Sequence, residues 1–265
     1  MTNPNVTIVV QGPLNMKSIA AIPEYLETAN VVVSHYLAPD DGDIKYHTPE
    51  AVTARLELQK IMVENLGCSE VTLTFPPRPN PDYRIHQLLT TYKGMCNVNT
   101  KFVMKLRSDE YYTPIKKFMD EFFKNPKTLL CSNIFWKPND SYHISDHIMM
   151  GRTDFFRSGL KSYLEREANL KNNFESDDLA SSITRQSCES SFGRAFILGK
   201  YKKYKGDFKN IDKTSDQCFD DDFRKFDVNE FDKYHITWNG GPKKKFGRVF
   251  SKPSNGNNKL YVGQQ

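Results

Sequence analysis

No long apolar run occurs in this sequence. The longest near the start is Val6-Thr7-Ile8-Val9-Val10, too short to cross a membrane and without the basic flank of a secretory signal. The expectation is a cytosolic protein. Cysteine is sparse: Cys68, Cys96, Cys131, Cys188 and Cys218 are scattered, odd in number and free of any CxxC pair. That excludes a disulfide framework and a zinc knuckle, and reads as reduced, mostly buried thiols. No internal repeat is visible. Glycine is short where a phosphate-cradling loop needs it, since Gly12-Pro13-Leu14-Asn15 holds only one. Acid is absent from Gly240 onward.

What is present is an ordinary globular composition, with 38% hydrophobic and 26% charged residues over 265 positions. Most of the 18 Phe and 13 Tyr are needed for a core. The stretch from Gly240 carries Lys243, Lys244, Lys245, Arg248, Lys252 and Lys259. Removing these six charges from the net +5 leaves −1 for the rest. A near-neutral body therefore bears a basic tail over 241–265. Such a tail suits a diphosphate or an anionic membrane surface, or simply stays solvated.

Strand and helix signals alternate through the first 132 residues. Val6 to Gln11 reads as a buried parallel strand, followed by a helix from about Ser18 to Thr28. Val31-Val32-Val33 is a second strand, and Pro49 to Leu66 has helical periodicity. Val71 to Phe75 is a third strand, and Ile85, Leu88, Leu89, Tyr92 and Met95 recur at helical spacing. Lys101 to Leu106 is a fourth strand, a helix carries Phe118, Phe122 and Phe123, and Thr128 to Cys131 is a fifth strand. Repeated βα units predict a mostly parallel Rossmann-type sheet with helices on both faces. Ligands of such sheets bind at the carboxyl ends of the strands, which singles out the loops after Gln11, Ser34 and Arg107. Beyond Ser132 the pattern turns polar and irregular, with helical stretches near Asp154 to Glu167 and Asp177 to Leu198. The expected organisation is one catalytic domain over 1–240, in halves of about 1–132 and 133–240.

The chemistry concentrates in Lys105-Leu106-Arg107-Ser108-Asp109-Glu110. Alternation along a strand places Phe102, Met104 and Leu106 on one face and Lys105, Arg107 and Asp109 on the other. Cations and a carboxylate at the mouth of a buried strand must be paired. Two pairings answer that need. Asp109, with Glu110, holds a divalent Mn²⁺ or Mg²⁺ while Lys105 or Arg107 binds phosphate or orients the carboxylates. Alternatively Arg107 and Asp109 form a structural ion pair, or Ser108 or Asp109 caps a helix. The literal DxD, Asp41-Gly42-Asp43, follows the second strand; it suits an ordinary turn, and equally a metal role or a contact to ribose or base. Asp220-Asp221-Asp222 reads as solvated surface.

These stretches resemble the WavE lipopolysaccharide-synthesis family of glycosyltransferases. The resemblance rests on Ile8-Val9-Val10-Gln11-Gly12-Pro13, on Arg84, Gln87 and Gly94, on Lys101 to Asp109, and on Tyr142-His143-Ile144-Ser145-Asp146 with Gly151. It spans Val6 to Gly151, with an extension around Glu189. It implies a GT-A-like fold, a nucleotide-sugar donor (UDP- or GDP-linked), a divalent metal and a hydroxyl of a glycan acceptor in polysaccharide or glycan synthesis. Hexosyl or pentosyl transfer both fit. Glu110 directly follows Asp109, so the acidic pair is not a strict DxD.

Gln11 and Gly12 end the first strand, where backbone can approach a nucleotide, or form a plain turn. Arg84 opens a helix within reach of a phosphate, or makes a surface ion pair. Asp146 and Glu189 are the candidate bases, with Asp146 the nearer match to the family pattern and Glu189 also suited to a helix's first turn. His235 is a candidate late metal ligand or a packed histidine. Trp136 and Trp238 suit a sugar face or the core. Two rival functions stand beside this one. A nucleotidyltransferase or other phosphate-ester enzyme would use the same sheet and metal site. A polyanion-binding module would act through the tail, although no nucleic-acid motif is present.

Overall fold

The computed structural model describes residues 3–12, 16–37, 63–74, 83–134, 136–137, 142–166, 187–201 and 220–236, with isolated positions from 50 to 61. Seven strands form one sheet. In chain order they are β1 (Val6–Gln11), β2 (Asn30–Leu37), β3 (Ser69–Thr74), β4 (Phe102–Arg107), β6 (Leu129–Ser132), β7 (Ile148–Arg152) and β8 (Phe223–Phe226). Their spatial order is β3-β2-β1-β4-β7-β6-β8. All pairings are parallel except those of β7, which runs against both β4 and β6. Strand β5 (Glu110–Thr113) lies apart and pairs antiparallel with β9 (Lys233–Ile236). The helices are α1 (Met16–Leu26), α2 (Tyr83–Cys96), α3 (Ile115–Phe123), α4 (Thr153–Arg166) and α5 (Cys188–Lys200), and the described positions between 50 and 65 are helical too.

Alternation along the strands builds two cores. Val9, Val32, Val103, Cys131 and Met149 pack on one face with Leu88 and Leu89 of α2, Phe156 and Leu160 of α4, and Phe192 and Phe196 of α5. Ile8, Val10, Val33, Met104, Leu106 and Met150 pack on the other face with Ile22 and Tyr25 of α1 and Phe118 and Phe122 of α3. Sheets covered on both faces need strands that are apolar throughout, which is why the β1 and β4 runs lack the one-sided alternation of a surface strand.

The five strands expected from the sequence are present: β1 has the expected bounds, β2 runs on to Leu37, and β3, β4 and β6 are displaced by a residue or two at their ends. Four more were not expected: β5 directly after β4, and β7, β8 and β9 beyond Ser132, where the sequence reads as irregular. Through β7 and β8 the chain after Ser132 continues the same sheet. Asp220 and Asp221 are exposed, but Asp222 is buried and accepts from Lys200 Nζ (2.5 Å) and the Tyr201 hydroxyl (2.8 Å), which corrects the reading of that run as solvated. Cys68, Cys131 and Cys188 are buried free thiols, whereas Cys96 is exposed. Among the described residues no helix is long and apolar enough to cross a membrane.

Candidate active site

Strand β1 lies between β2 and β4, so the chain winds outward from it in both directions. The crevice at such a reversal opens beyond the carboxyl ends of the two central strands. Here those ends are Gln11 and Arg107, which are direct neighbours in the β1–β4 register, with Ser34 beside Gln11 on β2. Gly12 leaves β1 at φ 125°, and a Cβ there would stand 2.7 Å from Ser108 Oγ. Glycine is thus required for the β1 and β4 exits to close on each other. The Ser108 amide donates to the Gln11 carbonyl (2.7 Å) and the Gly12 amide to the Ser34 carbonyl (3.1 Å).

The side chains of the Lys105–Glu110 stretch meet the loop 142–147 in a buried ionic cluster. Arg107 donates to both oxygens of Asp109, from Nε at 3.0 Å and Nη2 at 2.9 Å. It also stands 3.4 Å from Glu110 Oε1 and 3.6 Å from Asp146 Oδ2. Lys105 is fully buried. Its Nζ donates to the Asp146 carbonyl and lies 4.9 Å from the centre of the Phe192 ring. Gln87 of α2 donates to Asp146 Oδ2. Glu110 accepts from the Tyr112 hydroxyl (2.8 Å), and its other oxygen is bonded to His147 Nδ1. His147 Nε2 lies 3.8 Å from Asp146 Oδ1, an oxygen that has no hydrogen-bond partner among the described residues.

Burial would raise the Asp146 carboxyl, but His147, Lys105 and Arg107 outweigh it and hold that group well below the usual carboxylate range. Asp109 is likewise depressed, because Arg107 overcomes its desolvation. Burial pushes the Lys105 ammonium down, with Asp146 opposing the shift.

The loop that carries Asp146 is fixed by its own packing. Tyr142, His143, Ile144, Ser145, Asp146 and His147 are all buried, and Tyr142 adopts φ 59°, which a side chain rarely tolerates. Gly193 of α5 leaves room for the Tyr142 carbonyl, and the Arg194 guanidinium sits 5.3 Å from the Tyr142 ring centre. Ser145 bonds Ser132 of β6 at 2.6 Å. Glu189 enters from the first turn of α5, whose N-cap is Ser187, and its carboxylate is 4.0 Å from His143 Nε2.

The structure thus brings together Gln11, Gly12, Lys105, Arg107, Asp109, Glu110 and Asp146, while Glu189 reaches only His143 of the Asp146 loop, at 4.0 Å. Of the two roles expected for Lys105, its placement suits orienting a carboxylate and not binding a phosphate. Its ammonium is enclosed behind the mouth and serves the Asp146 carbonyl, so it does not face a phosphate. Glu110 is also enclosed, with both oxygens committed to protein groups. The β5–β9 pairing sets His235 opposite Tyr111, one residue from Glu110, although the His235 side chain lies outside the described residues. The Arg84 side chain, Asp41, Asp43, Trp238 and the basic tail lie outside them as well. Trp136 packs at the edge of a core.

Sequence reading assigned no role to His147, Tyr112 or Gln87. The signal for Gln87 was its place among the residues of the WavE resemblance; in the fold it lies one helical turn before Thr90, which accepts a hydrogen bond from Gln11 (2.9 Å).

The strand order, the single reversed strand β7 and the β5–β9 pair at the β4 mouth decide the architecture. The fold is α/β and GT-A-like. No family model matches the sequence, and no curated protein does. Among solved structures the chain is similar to the glycosyltransferase GlyE of Streptococcus pneumoniae TIGR4, at 8% identity and a TM-score of 0.41, over 86% of this chain and 46% of that one. The chain thus spans less than half the length of GlyE. It is also similar to glucosyl-3-phosphoglycerate synthase from Mycobacterium tuberculosis, solved with Mn²⁺, UDP and phosphoglyceric acid, at 11% identity and a TM-score of 0.35, over 61% of this chain and 64% of that one. HddC from Yersinia pseudotuberculosis is 8% identical at a TM-score of 0.34, over 58% and 79% of the two chains. These are loose likenesses of chain path.

Proposed function

We propose that this chain is a glycosyltransferase that moves a sugar from a nucleoside-diphosphate donor to a glycan hydroxyl, of the kind the WavE resemblance implies. The observation that carries this reading is the convergence of Gly12, Arg107, Asp109 and Asp146 at the β1–β4 reversal. A fold of this kind hosts several chemistries, so the site has to carry the reading.

Transfer requires a neutralised leaving diphosphate and an acceptor that can lose a proton. Arg107 and Asp109 are the partly exposed charges at the mouth, each with 24% of its side chain open. Counting the histidine as neutral, the cluster holds three carboxylates (Asp109, Glu110, Asp146) and two cations (Lys105, Arg107). A diphosphate arriving there meets excess negative charge, so a companion cation suits it.

No group of three or more His, Cys, Asp or Glu among the described residues is arranged to hold a metal. An ion of the magnesium type takes one or two carboxylates and completes its shell with phosphate and water. Asp109 is the residue that would hold it, with His235 as the second candidate. When bound, such an ion supplies charge neutralisation to the diphosphate.

Of the two candidate bases, Glu189 is the better placed. Asp146 is enclosed, tied to Gln87 and Arg107, and held too far down to be an effective proton acceptor near neutrality. Glu189 is 21% open at the start of α5.

The test is thermal stabilisation by UDP, GDP, dTDP and CDP and their sugars, with and without Mn²⁺. The expected outcome is one nucleoside diphosphate that raises the melting temperature of the wild type with metal and leaves Asp109→Ala unmoved. No shift with any of them overturns the nucleotide-sugar reading. A nucleoside triphosphate that stabilises instead would favour the nucleotidyltransferase.

A further inference from the structure

We propose that Lys105 and Gln87 are positioning residues, which grip Asp146 from two sides and make it the fixed internal anchor of Arg107. The inference rests on the reading of the Arg107–Asp109 mouth as the donor site. Lys105 reaches Asp146 from the β4 strand beneath and donates to its backbone carbonyl. Gln87 reaches it from α2 above and donates to Oδ2. The same Oδ2 faces Arg107 Nη1 at 3.6 Å. One carboxylate oxygen is therefore shared between a neutral donor that orients it and the guanidinium that it holds.

Each part of this grip is held in turn. Gln87 sits on α2 one turn before Thr90, whose hydroxyl donates to the His86 carbonyl (2.6 Å) and accepts from Gln11 Nε2 (2.9 Å). Lys105 is enclosed under the Phe192 ring of α5. A buried ammonium costs several kcal/mol unless it is compensated, so its retention at a site with no exposure needs a reason. Holding the loop of Asp146 supplies one. Arg107 then has Asp146 behind it and Asp109 in front, and the guanidinium is presented at the mouth in one orientation. The charged and titratable groups around Asp146 are Lys105 and Arg107 from β4, His147 from its own loop, Cys131 from β6 and Cys188 from α5.

The deciding experiment needs no turnover. The carboxyl ¹³C signal of Asp146, identified by its absence from Asp146→Asn, is titrated in the full-length wild type, in Lys105→Met and in Gln87→Leu. Lys105→Met keeps the volume and removes the buried charge, and Gln87→Leu alters a half-buried position, so at least one folded variant is expected. The midpoint should rise by about one unit or more in both variants. A midpoint that stays within a few tenths of the wild type in the folded variants overturns the proposal.

A second arm uses the nucleoside diphosphate and Mn²⁺ that stabilise the wild type. Lys105→Met and Asp146→Asn should weaken its affinity non-additively, so that the double variant binds no worse than the weaker single one. Additive losses would make Lys105 a direct ligand of the phosphates and overturn the positioning role. If the wild type binds no nucleoside diphosphate, the glycosyltransferase reading fails, and the carboxyl titration still upholds or overturns the grip on Asp146.

Discussion

At the residue scale, the site is an economy of charges that sequence could name but not pair. Lys105, Arg107 and Asp109 were legible because a buried strand does not end in ions without a purpose. Alternation separates Lys105 and Arg107 from Phe102, Met104 and Leu106, whereas Asp109 lies in the turn after β4 and meets Arg107 there. Which carboxylate each cation serves was not legible, because Asp146 and Gln87 come from distant parts of the chain. Asp146 also gives a pH prediction. Its carboxyl is depressed in the fold, so its stabilising contribution is complete above about pH 4 and disappears as pH falls through the folded value. The stability advantage of wild type over Asp146→Asn should therefore narrow below about pH 4, read by urea denaturation across pH. Gly12→Ala combines a strained φ of 125° with a 2.7 Å approach to Ser108 Oγ. It should lose about 1–3 kcal/mol in the same assay, and weaken nucleotide binding beyond that loss.

At the scale of elements, the helices α4 and α5 cross at bare backbone. A Cβ on Gly159 would stand 1.8 Å from the Ala195 carbonyl oxygen, and one on Gly199 would stand 1.8 Å from that of Phe155. Since backbone cannot yield as a flexible side chain can, either alanine must force the helices apart. Gly159→Ala should cost about 1–3 kcal/mol, measured by chemical denaturation. Because α5 carries Glu189 and Phe192 into the site, the variant should also reduce turnover more than an equally destabilising change on α3. The strands that sequence missed share one cause. β5 and β9 form a separate two-stranded ribbon, the edge strand β8 sets Arg224 and Lys225 between Phe223 and Phe226, and β7 is a five-residue reversal inside the sheet. Strands of four or five residues lack the long apolar run that marks β1.

At the scale of the whole molecule, the late segment is tied to the early one by aromatics. Phe231 packs against Tyr112 (5.0 Å between ring centres) and Phe226 (5.2 Å), and stacks with Phe118 at 6.1 Å. These contacts hold β9, and with it the backbone of His235, beside the Asp109–Glu110 turn. Phe231→Ala should cost about 3–5 kcal/mol by thermal or urea unfolding. If His235 joins the metal site, it should also raise the Mn²⁺ concentration needed for nucleotide-dependent stabilisation.

The sequence by itself determined the parallel βα half, the two-faced burial of β1 and β4, and the identity of the charged mouth. Those follow from local periodicity and from the cost of burying charge, which neighbouring residues already reveal. Only the tertiary structure decided that Lys105 points inward, that Asp146 is gripped by Gln87, and that β9 returns beside β5. Each of these depends on which distant segments close over the carboxyl ends of the strands. That closure is set by packing between helices and loops far apart in the chain, and no local pattern records it.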